Sequence, residues 1–167
     1  MLVYLPFVLQ DQMRLDVAMV GLLLLPVTVA TAISSPIAGR LSDRSWAPAM
    51  SALGLGLNAV SVAALALVIP GRPPLLLIAV AMALYGTGFG LFQSPNNNVM
   101  LRRPPIERIG AAGGMLATCR LVGQNVGALT AALALRLPQL GPLSGLYFAA
   151  AFALLSAAFV RSRSQGD

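Results

Sequence analysis

Apolar residues run along this chain in long blocks, and polar residues gather in the short gaps between them. Val17 to Gly39, Ser45 to Gly71, Pro73 to Leu101 and Leu137 to Val160 contain no charged residue, and Ile109 to Leu135 contains only Arg120. About 20 helical residues, rising 1.5 Å each, cross the roughly 30 Å of bilayer hydrocarbon. Each block therefore predicts a membrane-crossing helix, with approximate spans 17–39, 46–70, 74–99, 110–135 and 143–160. The first apolar block, 1–10, is too short to cross and is expected to be the tail of a truncated helix. No signal peptide is predicted, because Met1 leads straight into apolar residues with no basic segment or small-residue cleavage site.

The links are short: Asp11 to Asp16, Arg40 to Trp46, Pro70 to Pro74, Arg102 to Arg108, and Arg136 to Pro142. Short links make successive helices antiparallel neighbours, so 1–167 is expected to form a single helical bundle. Arg40, Arg44, Arg102, Arg103, Arg108, Arg161 and Arg163 fall on one side of that bundle, against Arg14, Arg72 and Arg136 on the other. The positive-inside rule puts the richer side in the cytoplasm. That predicts a multi-pass protein of the cytoplasmic membrane with a cytoplasmic C-terminus.

Composition changes the picture only by exclusion. Hydrophobic residues make up 57% of the chain and charged residues 10%, where soluble domains carry about 25%. The fold class is all-α membrane protein. The net charge of +6 comes from arginines scattered one to three at a time, without a basic stripe or interleaved aromatics, so no nucleic-acid partner is expected. Cys119 is alone and histidine is absent, which leaves no zinc site and no internal disulfide. There is no phosphate-binding loop, metal-ligand cluster or His-based triad. No catalytic residue, cofactor or metal is expected, and the chain does not read as an enzyme.

Arg120 is the polar residue hardest to place. It falls about ten residues into its helix, where a charge costs at least about 2.5–3.5 kcal/mol on insertion scales. Either it lines a watery cavity, or it is a structural arginine that snorkels toward the cytoplasmic side. Gln124 follows one turn later on the same face. The preceding helix carries a polar strip of Tyr85, Gln93, Ser94 and Asn96 to Asn98 around Pro95, where a kink is expected. Gln93 and Tyr85 join Arg120 and Gln124 as candidates to line a substrate cavity, with Asn97 and Asn98 placed nearer the interface. Gly86 with Gly90, and Gly123 with Gly127, have the GxxxG spacing that lets membrane helices pack closely.

The run Ser35-Pro36-Ile37-Ala38-Gly39-Arg40-Leu41-Ser42-Asp43-Arg44 resembles the loop motif of the major facilitator superfamily, in its C-terminal-half copy. Gly86 to Asn98 resembles the tenth helix of that superfamily's drug:proton antiporters, and Gly110 to Gln124 is similar to the helix that follows. The resemblance implies the C-terminal six-helix half of that fold, with its first helix truncated. It further implies proton-coupled export of drugs or other small molecules by alternating access. Gly39, Asp43 and Arg44 would then form a gating loop, although Ser45-Trp46-Ala47-Pro48 stands where the family usually continues with a glycine and a basic pair.

The acidic residues Asp11, Asp16, Asp43, Glu107 and Asp167 all map to loops or termini. A membrane-buried proton relay needs a carboxylate or histidine, so any coupling carboxylate is expected on a missing N-terminal half. The expected partners are membrane lipid, a small-molecule substrate, a coupling proton, and that missing half or a second half-sized chain. The competing reading is a non-transporting scaffold or truncated product that binds another membrane subunit.

Overall fold

The computed structural model describes residues 4–41, 47–102, 105–136 and 151. Helix α1 spans Tyr4–Met13, α2 Val17–Leu41, α3 Ala47–Val68, α4 Leu75–Arg102 and α5 Ile109–Arg136. Three-residue 3-10 turns, Ile69–Gly71 and Ile106–Arg108, close α3 and lead into α5. No strand occurs among the described residues, and apart from residue 151 the expected span 143–160 lies outside them.

In hydrocarbon a backbone must satisfy its own N–H and C=O groups, which is why the apolar blocks become helices. Val17–Leu41, Ala49–Gly71 and Leu75–Leu101 are each long and apolar enough to cross a membrane. The 28 residues of α5 match them in length but carry Arg120, Gln124 and Asn125 near the middle. Pro26 and Pro36 lie within α2, and α4 continues through Pro95 as one helix. At the other end of α3 the chain turns at Arg72, whose φ of 49° is left-handed and whose N–H donates to the Ile69 carbonyl at 3.0 Å.

Helix α4 is central, packed against α2 on one flank and α3 on the other. Contacts ascend together along α2 and α4: Val27 meets Gly86, Ser34 and Ser35 meet Gly90, and Gly39 meets Ser94. Those two helices therefore run parallel. Along α3 the order reverses, with Gly54 against Gly88 and Phe92, and Ser61 against Ala81. An up–down–up unit results. It places Arg40, Arg102 and Arg108 at one end, and Arg14, Arg72 and Arg136 at the other.

Lipid tails are as apolar as leucine, so close backbone contact and interhelical hydrogen bonds must hold such helices together. Both are present. A Cβ on Gly86 would fall on the Val27 backbone, and one on Gly90 would strike the Ser34 hydroxyl. Thr31 Oγ1 donates to the Gly86 carbonyl at 3.0 Å, and Ser61 Oγ donates to the Ala81 carbonyl. Removing the second bond through Ser61→Ala is expected to cost about 0.6–1.7 kcal/mol. The check is an unfolding titration of the detergent-solubilised protein.

Helix α1 is described over ten residues and packs onto the three-helix unit. Its Tyr4, Leu5, Val8 and Leu9 are buried with Leu23, Leu65, Ile69, Ile78 and Met82 in one apolar cluster. That cluster closes the Arg14–Arg72 end of the unit, and Ala131 of α5 packs against it.

Candidate functional site

Helix α5 touches the rest of the bundle at two places and stands clear between them. Its partly buried positions are Ala112, Gly113 and Leu116 near the start, and Ala128 and Ala131 further on. At 100° per residue these positions share one face. Arg120 and Gln124 lie on that same inward face, yet every residue from 117 to 127 is exposed. The described residues therefore leave the middle of α5 uncovered, and Arg120 and Gln124 face the space between it and the three-helix unit.

A side-chain hydrogen bond reaches across from α5 to α4. Arg120 Nη2 donates to Asn97 Oδ1 at 3.2 Å. Helical side chains lean toward the helix N-terminus, so Arg120 reaches back toward the end where α4 finishes and α5 begins. The Arg120 Cα is about 16 Å in from the start of α5, whereas Asn97 is only about 8 Å in from the end of α4. The guanidinium thus lies level with Asn97, closer to the Arg102 end than its own Cα. Gln93, half-buried, lies one turn back from Asn97 on the same face of α4. Asn97, rather than Gln93, is the residue that meets Arg120.

The remaining candidates separate. Tyr85 is three turns back from Asn97 and packs against the apolar cluster. Gln124 is exposed in the gap. Gly39 stands close to α4, where an added Cβ would come 3.0 Å from Ser94 Oγ. Asp43 and Arg44 lie outside the described residues. The two GxxxG pairs differ: Gly86 and Gly90 are pressed onto α2, while a Cβ on Gly123 or Gly127 would meet nothing within 4 Å among the described residues.

Two features away from the gap can be assigned structural roles. Asn58 is buried at 8% exposure, and its Oδ1 has no N–H or O–H donor among the described residues. It lies against Gly88, where an added Cβ would be 2.8 Å from Asn58 Oδ1 and 2.7 Å from the Gly54 carbonyl. With no Cβ on Gly88, α3 and α4 can approach this closely beside Asn58. The second feature is an apolar crevice at the Arg72 end, lined by residues such as Leu65, Val68, Leu77 and Ile78, with a volume of about 50 Å³. Ligand sites usually enclose about 300–1,000 Å³, so this crevice is packing space.

Residues 1–128 match the model of the Major Facilitator Superfamily. The chain is 45% identical over 140 residues to the "Uncharacterized transporter YebQ" of Escherichia coli (strain K12), covering 84% of this chain and 30% of that protein. It is 33% identical over 116 residues to the "Riboflavin transporter RibZ" of Clostridioides difficile (strain 630), covering 70% and 25%. A third relative is the "Multidrug resistance protein Stp" of Mycobacterium tuberculosis (strain ATCC 25618 / H37Rv), 32% identical over 107 residues, covering 64% and 20%. The chain spans less than a third of the length of these curated relatives. No solved structure matches it.

Proposed function

Because the chain belongs to the Major Facilitator Superfamily, a family of multi-pass membrane transporters and not of enzymes, we propose that it forms part of the C-terminal half of a secondary active exporter. In this reading the protein moves drugs or other small molecules out of the cell by alternating access, with substrate held between two rocking halves. The observation that carries it is the gap beside α5, where Arg120 and Gln124 face inward from an exposed stretch of a 28-residue helix. A helix packed only for structure has no use for a charge at that place. Gln93 continues the lining on α4, and Gly39, Asp43 and Arg44 act in gating.

The relatives support transport of small organic molecules, since one is named for riboflavin and another for multidrug resistance. Coupling to protons requires an ionisable group within the membrane. The acids among the described residues, Asp11, Asp16 and Glu107, lie in the short α1 or in the links. The coupling carboxylate is therefore assigned to the N-terminal half. The arginine-rich end faces the cytoplasm of a cytoplasmic membrane, and Gly123 and Gly127 provide a close-packing surface for helices beyond those described.

The test is accumulation of ethidium, norfloxacin and fluorescein (a cation, a zwitterion and an anion) in cells expressing the full-length protein that carries this chain. Lower accumulation of at least one of them, abolished by a protonophore, is the expected result. Equal accumulation of all three with and without the protein would overturn the export reading.

A further inference from the structure

We propose that the gap between α4 and α5 is an anion subsite, in which the Arg120 guanidinium, steadied by Asn97, receives the carboxylate of a small organic acid. This rests on the export reading and adds the sign of the substrate's charge.

A guanidinium carries five N–H groups in a planar fork, and Asn97 accepts from one nitrogen with a neutral oxygen. The amide fixes the group without neutralising it. No acid among the described residues stands beside it. Asp11 is on α1 and Asp16 precedes α2, both at the Arg14–Arg72 end, away from Asn97. Glu107, in the turn before α5, is exposed and separated from Arg120 by more than three helical turns. The described bundle thus presents a cation held level with Asn97 with no described acid beside it.

An unneutralised charge is costly in that setting and gains most from an incoming anion. Carboxylate oxygens match the fork and accept two parallel bonds. Among the described residues nothing covers 117 to 127, so the guanidinium is reachable from the α4 side. Gln124, one turn along the same face, offers a neutral amide to the remainder of the solute. A cationic solute would be repelled from this place.

The deciding experiment is equilibrium binding of radiolabelled 2-naphthoate to the purified full-length protein in phosphatidylcholine nanodiscs, with 2-naphthamide as the uncharged match. Naphthoate is expected to bind at least about tenfold more tightly than naphthamide. Arg120→Gln is expected to weaken naphthoate binding by about 10- to 100-fold and to leave naphthamide unchanged. Asn97→Asp places a competing carboxylate on the guanidinium and is expected to weaken naphthoate binding similarly, with an unaltered unfolding midpoint.

Equal binding of the two compounds, naphthoate binding that survives Arg120→Gln, or no binding to the wild type would each overturn the proposal. So would displacement of naphthoate by stoichiometric phosphatidylglycerol, which would reassign the anion to a lipid headgroup. Export of ethidium without naphthoate binding would leave the transport reading intact and remove the subsite. Naphthoate binding without export of any solute would do the reverse.

Discussion

Gly86→Leu is expected to remove the folded protein from the membrane fraction, and Gly86→Ala alone to cost about 1–3 kcal/mol. The added Cβ would fall on the carbonyl oxygen of Val27, with the Val27 Cα at 2.8 Å and its carbonyl carbon at 2.9 Å. These are backbone atoms of a neighbouring helix, which cannot rotate aside as a side chain can. Separating α2 from α4 to admit the methyl group would also lengthen the Thr31 bond to the Gly86 carbonyl, now 3.0 Å. Gly56→Ala is the matched control, because a Cβ there meets nothing within 4 Å. In a helix interior that change is expected to be neutral or to stabilise by up to about 1 kcal/mol. Membrane levels and unfolding midpoints of the two alanine variants check both statements.

Arg120→Ala is expected to reduce transport to below about a tenth of wild type while leaving the unfolding free energy within about 0.5 kcal/mol. The side chain is exposed and holds one hydrogen bond across the gap, so little packing is lost with it. Arg120→Lys keeps the charge but loses the planar fork and is expected to retain only part of the activity. Transport at constant membrane level, measured for all three proteins, separates these outcomes from misfolding. A stability loss matching the transport loss would make Arg120 a structural residue.

The helices were legible because lipid leaves the backbone so little choice. The apolar blocks at 17–39 and 74–99 correspond to α2 and α4, which extend a few residues further, to Leu41 and Arg102. Pairing was less legible. Gly86 with Gly90 and Gly123 with Gly127 have the same spacing, yet only the first pair is pressed onto a neighbour among the described residues. Spacing shows that a close approach is possible, not which helix makes it. Gly54 has no glycine four residues away in the sequence, and its partner, Gly88, is on another helix.

Asn97 was seen in the polar strip but placed nearer the interface than Gln93. Two facts would have selected it: helical side chains lean toward the N-terminus, and α4 ends where α5 begins. Together they bring the tip of Arg120 level with Asn97. The stand-off of α5 left no mark in the sequence, since it shows only in the exposure of 117 to 127 between two contacted ends.

The central claim is that the Arg120 face of α5 lines a watery path and not lipid, and thiol accessibility tests it most directly. In a Cys119→Ser background of the full-length protein, single cysteines would replace Gln124, on the Arg120 face, or Val122, on the opposite face. Both positions are exposed in this chain, so burial among the described residues does not separate them. A charged, membrane-impermeant thiol reagent is expected to modify the cysteine at 124 rapidly and the cysteine at 122 hardly at all, with a transported solute slowing the first reaction. Equal silence at both positions, or faster reaction at 122, would put the Arg120 face in lipid and contradict the account.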